Sequence, residues 1–185
     1  LEVVTIGVLY YAALVPCVFS AFIGAAVSEG FGNPPEQFLL GAVPEFGITE
    51  AVLTVILGVL CALLSMAFCV LLHRSEKLYH SRIPNGYVRI AVGGVLLIAL
   101  TLLSGSRDYN GSGMELIGRI MGGETVSYLA FFWKMIFTAV VLGAGFKGGE
   151  IVPTLCVGAA FGATVARIAG LDQGLCAAWS IAGLF

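Results

Sequence analysis

Gly143-Ala-Gly-Phe-Lys-Gly-Gly-Glu-Ile-Val-Pro-Thr-Leu-Cys-Val-Gly-Ala-Ala-Phe-Gly162 is the stretch on which the reading of this chain turns. Glycines at 143, 145, 148 and 149 interrupt an apolar helix pattern, and Pro153 follows where its missing N–H and fixed φ suit the first turn of a new helix. The spacing therefore predicts an open helix N-terminus over Gly148 to Val152. Such an end leaves about four backbone N–H groups without intrahelical acceptors and carries roughly half a positive charge. Inside a bilayer those donors must be met by something, and an anion is the natural guest.

The surroundings are a bilayer. The chain has 185 residues, of which 59% are hydrophobic and 11% charged, with a mean hydropathy of +1.01; a globular domain carries about 25% charged residues. A net charge of −2 supplies no basic face for nucleic acid. The cysteines, at 17, 61, 69, 156 and 176, lie in apolar runs without metal or disulfide spacing, so they are expected to be small buried hydrophobes. No metal or other cofactor is expected. His73 and His80 are expected to be solvated juxtamembrane residues.

Working outward from the glycine break, Thr125 to Phe146 reads as a span with Lys134 near its middle, where a charge must face protein or water rather than lipid. On the other side Ile151 to Ala166 is short for a crossing of roughly 20 residues, which predicts a helix that starts partway through the membrane. Arg167 to Gln173 reads as a polar turn, and Gly174 to Phe185 as the beginning of a further segment. Upstream, Val3 to Val27, Ala51 to Leu72 and Ile90 to Ser106 are uncharged runs of spanning length. Pro16 interrupts the first, and Ser20, Gly24 and Ser28 repeat small residues every four positions. Between the first two lies an acidic loop with Glu29, Glu36, Glu45 and Glu50. The second run is followed by His73, Arg74, Lys77, His80, Arg82 and Arg89, which places that connection on the cytoplasmic side and the acidic loop outside. Arg107 to Glu124 is polar at its ends, with an amphipathic middle, Met114 to Met121, expected to be a short helix at membrane depth. The fold class expected is an all-α, multi-pass transmembrane bundle with discontinuous, partly spanning helices.

The segment Gly148-Gly149-Glu150-Ile151-Val152-Pro153-Thr154-Leu155, with Gly158-Ala159 and Gly162 beyond it, resembles the GxFxPxLxxGAxxG motif of the CLC family of chloride channels and anion/proton antiporters. Phe22-Ile23-Gly24, the Leu-His-Arg end of the second run, Gly111-Ser112-Gly113 and the basic Lys134 agree in order. The resemblance implies an inverted-repeat fold and a homodimer with one ion pathway per subunit. Residues 1–28 would be the last helix of the first half and 48–185 most of the second, in one transmembrane domain fragment truncated at its C-terminus. It implies anion binding by backbone amides at Gly149, Glu150, Ile151 and Val152, with Gly148 and Pro153 shaping the turn. Two family segments, GSGIP and GREGP, are expected before Leu1 and the pore tyrosine after Phe185, so the fragment alone is expected to carry no flux. Glu150 and Ile151 depart from the common motif, and Gly-Gly-Glu resembles the fluoride-exporting branch more than the chloride branch.

Several residues have two readings. Glu150 is either an acid favoured by the helix dipole or a carboxylate that competes with the anion for the same amides and takes up a proton when displaced. Lys134 is either paired to carbonyls or a carboxylate at a helix interface, or a source of positive potential along the ion path. Lys147 is an interface anchor or an attractor of anions. Glu2 corresponds, on the resemblance, to an acid that relays protons from the cytoplasmic side. Gly158 and Gly162 have the spacing for close helix packing. The function expected is exchange of chloride or fluoride for protons across a bacterial cell membrane, with a passive chloride channel or a non-transporting truncated scaffold as alternatives. No nucleophile–base pair or paired intramembrane carboxylates suggest an enzyme.

Overall fold

The computed structural model describes residues 11–33 and 47–184. These fall into two compact units, Leu1–Phe38 and Leu39–Phe185. The first contributes α1, Tyr11–Gly30, with Pro16 inside it. Its end is closed by Gly32 at φ 85° and by a bond from the Asn33 N–H to the Ser28 carbonyl at 3.0 Å, a left-handed glycine stop. The first eight residues of the expected first span, 3–10, lie outside the described residues.

The regular structure of the second unit is all helix among its described residues. Helix α2, Ile48–Arg82, has 35 residues, or about 52 Å at 1.5 Å per residue, well beyond a hydrocarbon slab of about 30 Å. The basic stretch after Leu72, expected as a connection, is therefore a helical extension. No Gly or Pro interrupts it until Pro84, which disfavours helical geometry at Ile83. Helix α3, Gly86–Ser104, begins four residues before the expected Ile90, because the Asn85 side chain accepts the Tyr87 N–H and caps it. Gly105, at φ 66°, ends it. The short amphipathic helix falls at Met114–Met121 (α4), with Leu116, Ile117 and Ile120 buried.

The lengths on either side of the glycine break are the reverse of those expected. Helix α5, Ala130–Gly143, has only 14 residues and about 21 Å of length; residues 125–129 form an irregular segment before it that ends in a turn at 128–129. Helix α6, Ile151–Ala169, has 19 residues and about 28 Å, enough to cross. Its last turn takes in Arg167, whose Nη1 donates to the Val126 carbonyl at 2.6 Å while the guanidinium stacks 4.1 Å over the Tyr128 ring. Those contacts offset placing a charge there. The polar turn shrinks to 170–172, and Gln173–Leu184 forms α7.

Small residues set the packing. A Cβ at Gly158 would lie 2.8 Å from the Ser180 carbonyl oxygen, and one at Gly162 would collide with the Cys176 carbonyl, so α6 and α7 meet backbone to backbone. Ala159, Ala160 and Ala163 on α6 pack with the buried face of α4. Gly143 leaves room for Ser75, whose hydroxyl donates to the Ala139 carbonyl and joins α2 to α5. Cys61, Cys156 and Cys176 are buried, whereas Cys17 and Cys69 are exposed, contrary to the expectation for all five. Their helix faces in this chain are uncovered.

Candidate functional site

The break between α5 and α6 runs from Ala144 to Glu150. Gly145 takes φ 92°, a left-handed value that glycine adopts without strain, and turns the chain out of α5. The Arg89 Nε, from the first turn of α3, donates to the Ala144 carbonyl at 3.2 Å. An arginine counted with the cytoplasmic basic residues thus holds the buried C-terminal end of α5 at Ala144. Nothing in its spacing marked it for this role; the signal would have been a basic residue at a helix start opposite a helix that must end.

Helix α6 then starts with Glu150 at the cap and Pro153 in its first turn. The first helical bond is from the Thr154 N–H to the Glu150 carbonyl, 3.0 Å, and the Thr154 hydroxyl donates to the same oxygen at 2.6 Å. Glu150 makes no side-chain cap bond. The N–H groups of Gly148, Gly149, Glu150, Ile151 and Val152 find no acceptor among the described residues. Five successive donors are thus bare at the positive end of a 19-residue helix. Gly148, Gly149, Glu150 and Ile151 are exposed, and Val152 and Pro153 half-buried.

On one side of this tip lies a cavity of about 370 Å³, lined by Gly148, Gly149, Val152 and Pro153 together with Lys134, Thr138 and the loop Tyr109–Ser112. Lys134 is 1% exposed and sits in the second turn of the short α5 rather than in mid-span. Its Nζ donates to the carbonyls of Gly111, 2.8 Å, and Tyr109, 3.1 Å. Gly111 at φ 62° and Gly113 at φ 84° bend the loop so that these oxygens converge. A Cβ on Gly113 would fall 3.0 Å from Nζ and 2.6 Å from the Cys156 sulfur, so the glycine is what admits the ammonium.

The structure therefore brings Lys134 to the same cavity as Gly148, Gly149, Val152 and Pro153. Glu150, Ile151 and Lys147 stand outside its lining and are exposed. Glu2 lies outside the described residues. Just beyond the loop, Arg119 Nη2 and Asp108 Oδ2 pair at 2.8 Å, and the bond from Arg119 holds the Asp108 carboxyl below the ordinary carboxylate range.

Apolar helices, glycine breaks and an exposed helix start with unsatisfied amides define a multi-pass integral membrane protein built with discontinuous helices. The profile described as Voltage gated chloride channel matches residues 1–185, and the chain belongs to that family. It is 28% identical over 190 residues to a chloride/fluoride channel protein of Pseudomonas syringae pv. tomato, covering all of this chain and 42% of that protein. It superposes with a TM-score of 0.89 and 26% identity on the crystal structure of a CLC-type fluoride/proton antiporter, over all of this chain and 47% of the other. The chain thus spans less than half the length of both relatives.

Proposed function

We propose that this chain forms part of an anion transporter that exchanges chloride or fluoride for protons, and that the N-terminus of α6 is its anion site. The observation that carries the reading is the run of bare N–H groups from Gly148 to Val152. Fixed backbone dipoles replace part of an anion's hydration shell without reorganising, and pocket size against hydration strength then sets the ion preference. The relatives support the class: one is called a chloride/fluoride channel protein and the other a fluoride/proton antiporter. Protons would travel by the Glu150 carboxylate, which extends from the same helix cap and competes with the anion for those amides. Lys134, with two of its three donors on carbonyls, adds positive potential beside the tip. The working form is a homodimer with a separate pathway in each subunit, and no chemical step on a substrate is involved.

The second reading, a passive channel, takes its support from the printed name of the Pseudomonas relative. Flux separates the two. A polypeptide carrying this segment at the relatives' full length is reconstituted in liposomes, and chloride and fluoride efflux are followed with and without a pH gradient. Exchange predicts anion movement driven by the gradient, and predicts that Glu150→Gln abolishes that drive. Anion efflux indifferent to the gradient in both forms selects the channel. An unaltered coupled rate in Glu150→Gln removes Glu150 from the proton path.

A further inference from the structure

A second cavity, of about 520 Å³, opens between the basic end of α2 and helices α3 and α5. Its body is hydrocarbon, from Leu71, Leu78, Leu96, Ile136 and Val140. Of its two hydroxyls, on α2's Ser75 and Tyr79, that of Ser75 is already spent on the Ala139 carbonyl, so little in the body competes for water. Leu78 is 56% exposed there. At the mouth stand Arg74 and Arg82, and the lining contains no carboxylate. Neither arginine has an ion-pair or hydrogen-bond partner among the described residues. Arg74, Leu78 and Arg82 recur at i, i+4 and i+8, which puts them on one stripe of the helix.

Two free guanidinium groups over an apolar trough demand an occupant that is anionic at one end and greasy at the other. The trough belongs to an integral membrane protein, and it lies where α2 carries its basic excess, the cytoplasmic end by the positive-inside bias. We propose that it is a binding site for an anionic phospholipid of the cytoplasmic leaflet. The phosphate is held by Arg74 and Arg82, which suit phosphate oxygens as planar forks, and an acyl chain lies along Leu78, Ile136 and Val140. Basic pockets between helices on this side of a membrane take acidic lipid headgroups by the same physics. A soluble phosphate would use the arginines and leave the trough unfilled, and a neutral lipid would do the reverse.

The test is lipid binding to the detergent-solubilised protein by native mass spectrometry, titrating phosphatidylglycerol against phosphatidylcholine with identical acyl chains. Wild type is expected to prefer phosphatidylglycerol. Arg74→Gln with Arg82→Gln loses about fivefold of that preference per arginine, whereas Arg74→Lys with Arg82→Lys retains most of it, which also guards against a folding defect in the Gln pair. Leu78→Glu, at an exposed position, expels both lipids. Equal binding of the two lipids by wild type, or an unchanged preference in the Gln pair, overturns the proposal. Competition by glycerol 3-phosphate at the same concentration as lipid would show a free-anion site and overturn it too. If wild type holds neither lipid, a protein segment occupies the trough and the proposal is wrong.

Discussion

Two helices in this chain start at glycine-rich breaks, and they end up in opposite states. Before α4, the Gly111-Ser112-Gly113 loop is stitched to the protein. The Lys134 ammonium ties it down by donating to the Gly111 carbonyl and to that of Tyr109 just before it, and Ser112 Oγ accepts the Met114 N–H at 3.4 Å. Before α6, Gly148-Gly149-Glu150 is bare: its donors meet no acceptor among the described residues and its residues are exposed. The difference teaches that a glycine break is not itself a site. Glycine brings backbone close to something, and what matters is whether the protein or a ligand supplies that something.

The sharpest way to break the comparison is to make one change at both ends. Gly113→Ala puts a methyl into left-handed backbone and against both Lys134 Nζ and the Cys156 sulfur. Summing the strain of that conformation and the overpacking gives a loss of about 3 kcal/mol, read as a lower thermal midpoint in detergent. Gly149→Ala meets nothing within 4 Å and its φ is not left-handed. It should leave the midpoint within about 0.5 kcal/mol of wild type, while slowing anion flux in the full-length protein by crowding the amides. Equal stability losses at the two positions would mean that the α6 tip is packed like the α4 loop.

Lys134→Met is the next largest effect. It leaves the Tyr109 and Gly111 carbonyls without their donor, at about 1–3 kcal/mol for each buried group, but it also removes the cost of burying an ammonium. The net expectation is a destabilisation of about 2 kcal/mol, measured by the same melt. A midpoint equal to wild type would show that the loop holds its shape without the lysine. The comparison would then rest on glycine conformation alone.

The sequence carried the break at Gly148-Gly149, the helix start with Pro153 in its first turn and the bounds of Met114–Met121, because each depends on local chemistry: glycine freedom, proline geometry and a short amphipathic period. It was misleading about which neighbour of the break is short. Thr125 to Phe146 is apolar apart from Lys134 and scattered hydroxyls, so hydropathy could not see that its first five residues lie outside the helix. Arg167 reads as a helix end until Val126 and Tyr128 are known to wait beside it. The partners of Lys134 were equally hidden. Its burial implied some acceptor, but two backbone carbonyls in a loop over twenty residues upstream leave no mark in side-chain pattern. Long-range backbone contacts are what a one-dimensional reading lacks.

The smallest effect concerns the rim of the stitched end, where Asp108 meets Arg119 at 2.8 Å with side chains 42% and 34% exposed. Solvent screens such a pair, so Asp108→Asn should cost only about 0.2–1 kcal/mol at neutral pH. Its pH dependence is the informative part. The folded-state carboxyl titrates below its ordinary value because Arg119 donates to the ionised form. The unfolded chain, with an aspartate pKa of about 3.9, therefore binds the proton first as pH falls. The stabilisation is fully present above the unfolded value and is lost as pH drops through it toward the folded one. The gap between wild type and Asp108→Asn should be constant from neutrality to about pH 5 and close below that. A gap that persists in acid would mean that Asp108 acts through the shape of its hydrogen bonds to Ser106 and the loop, and that the α4 start is held by geometry rather than charge.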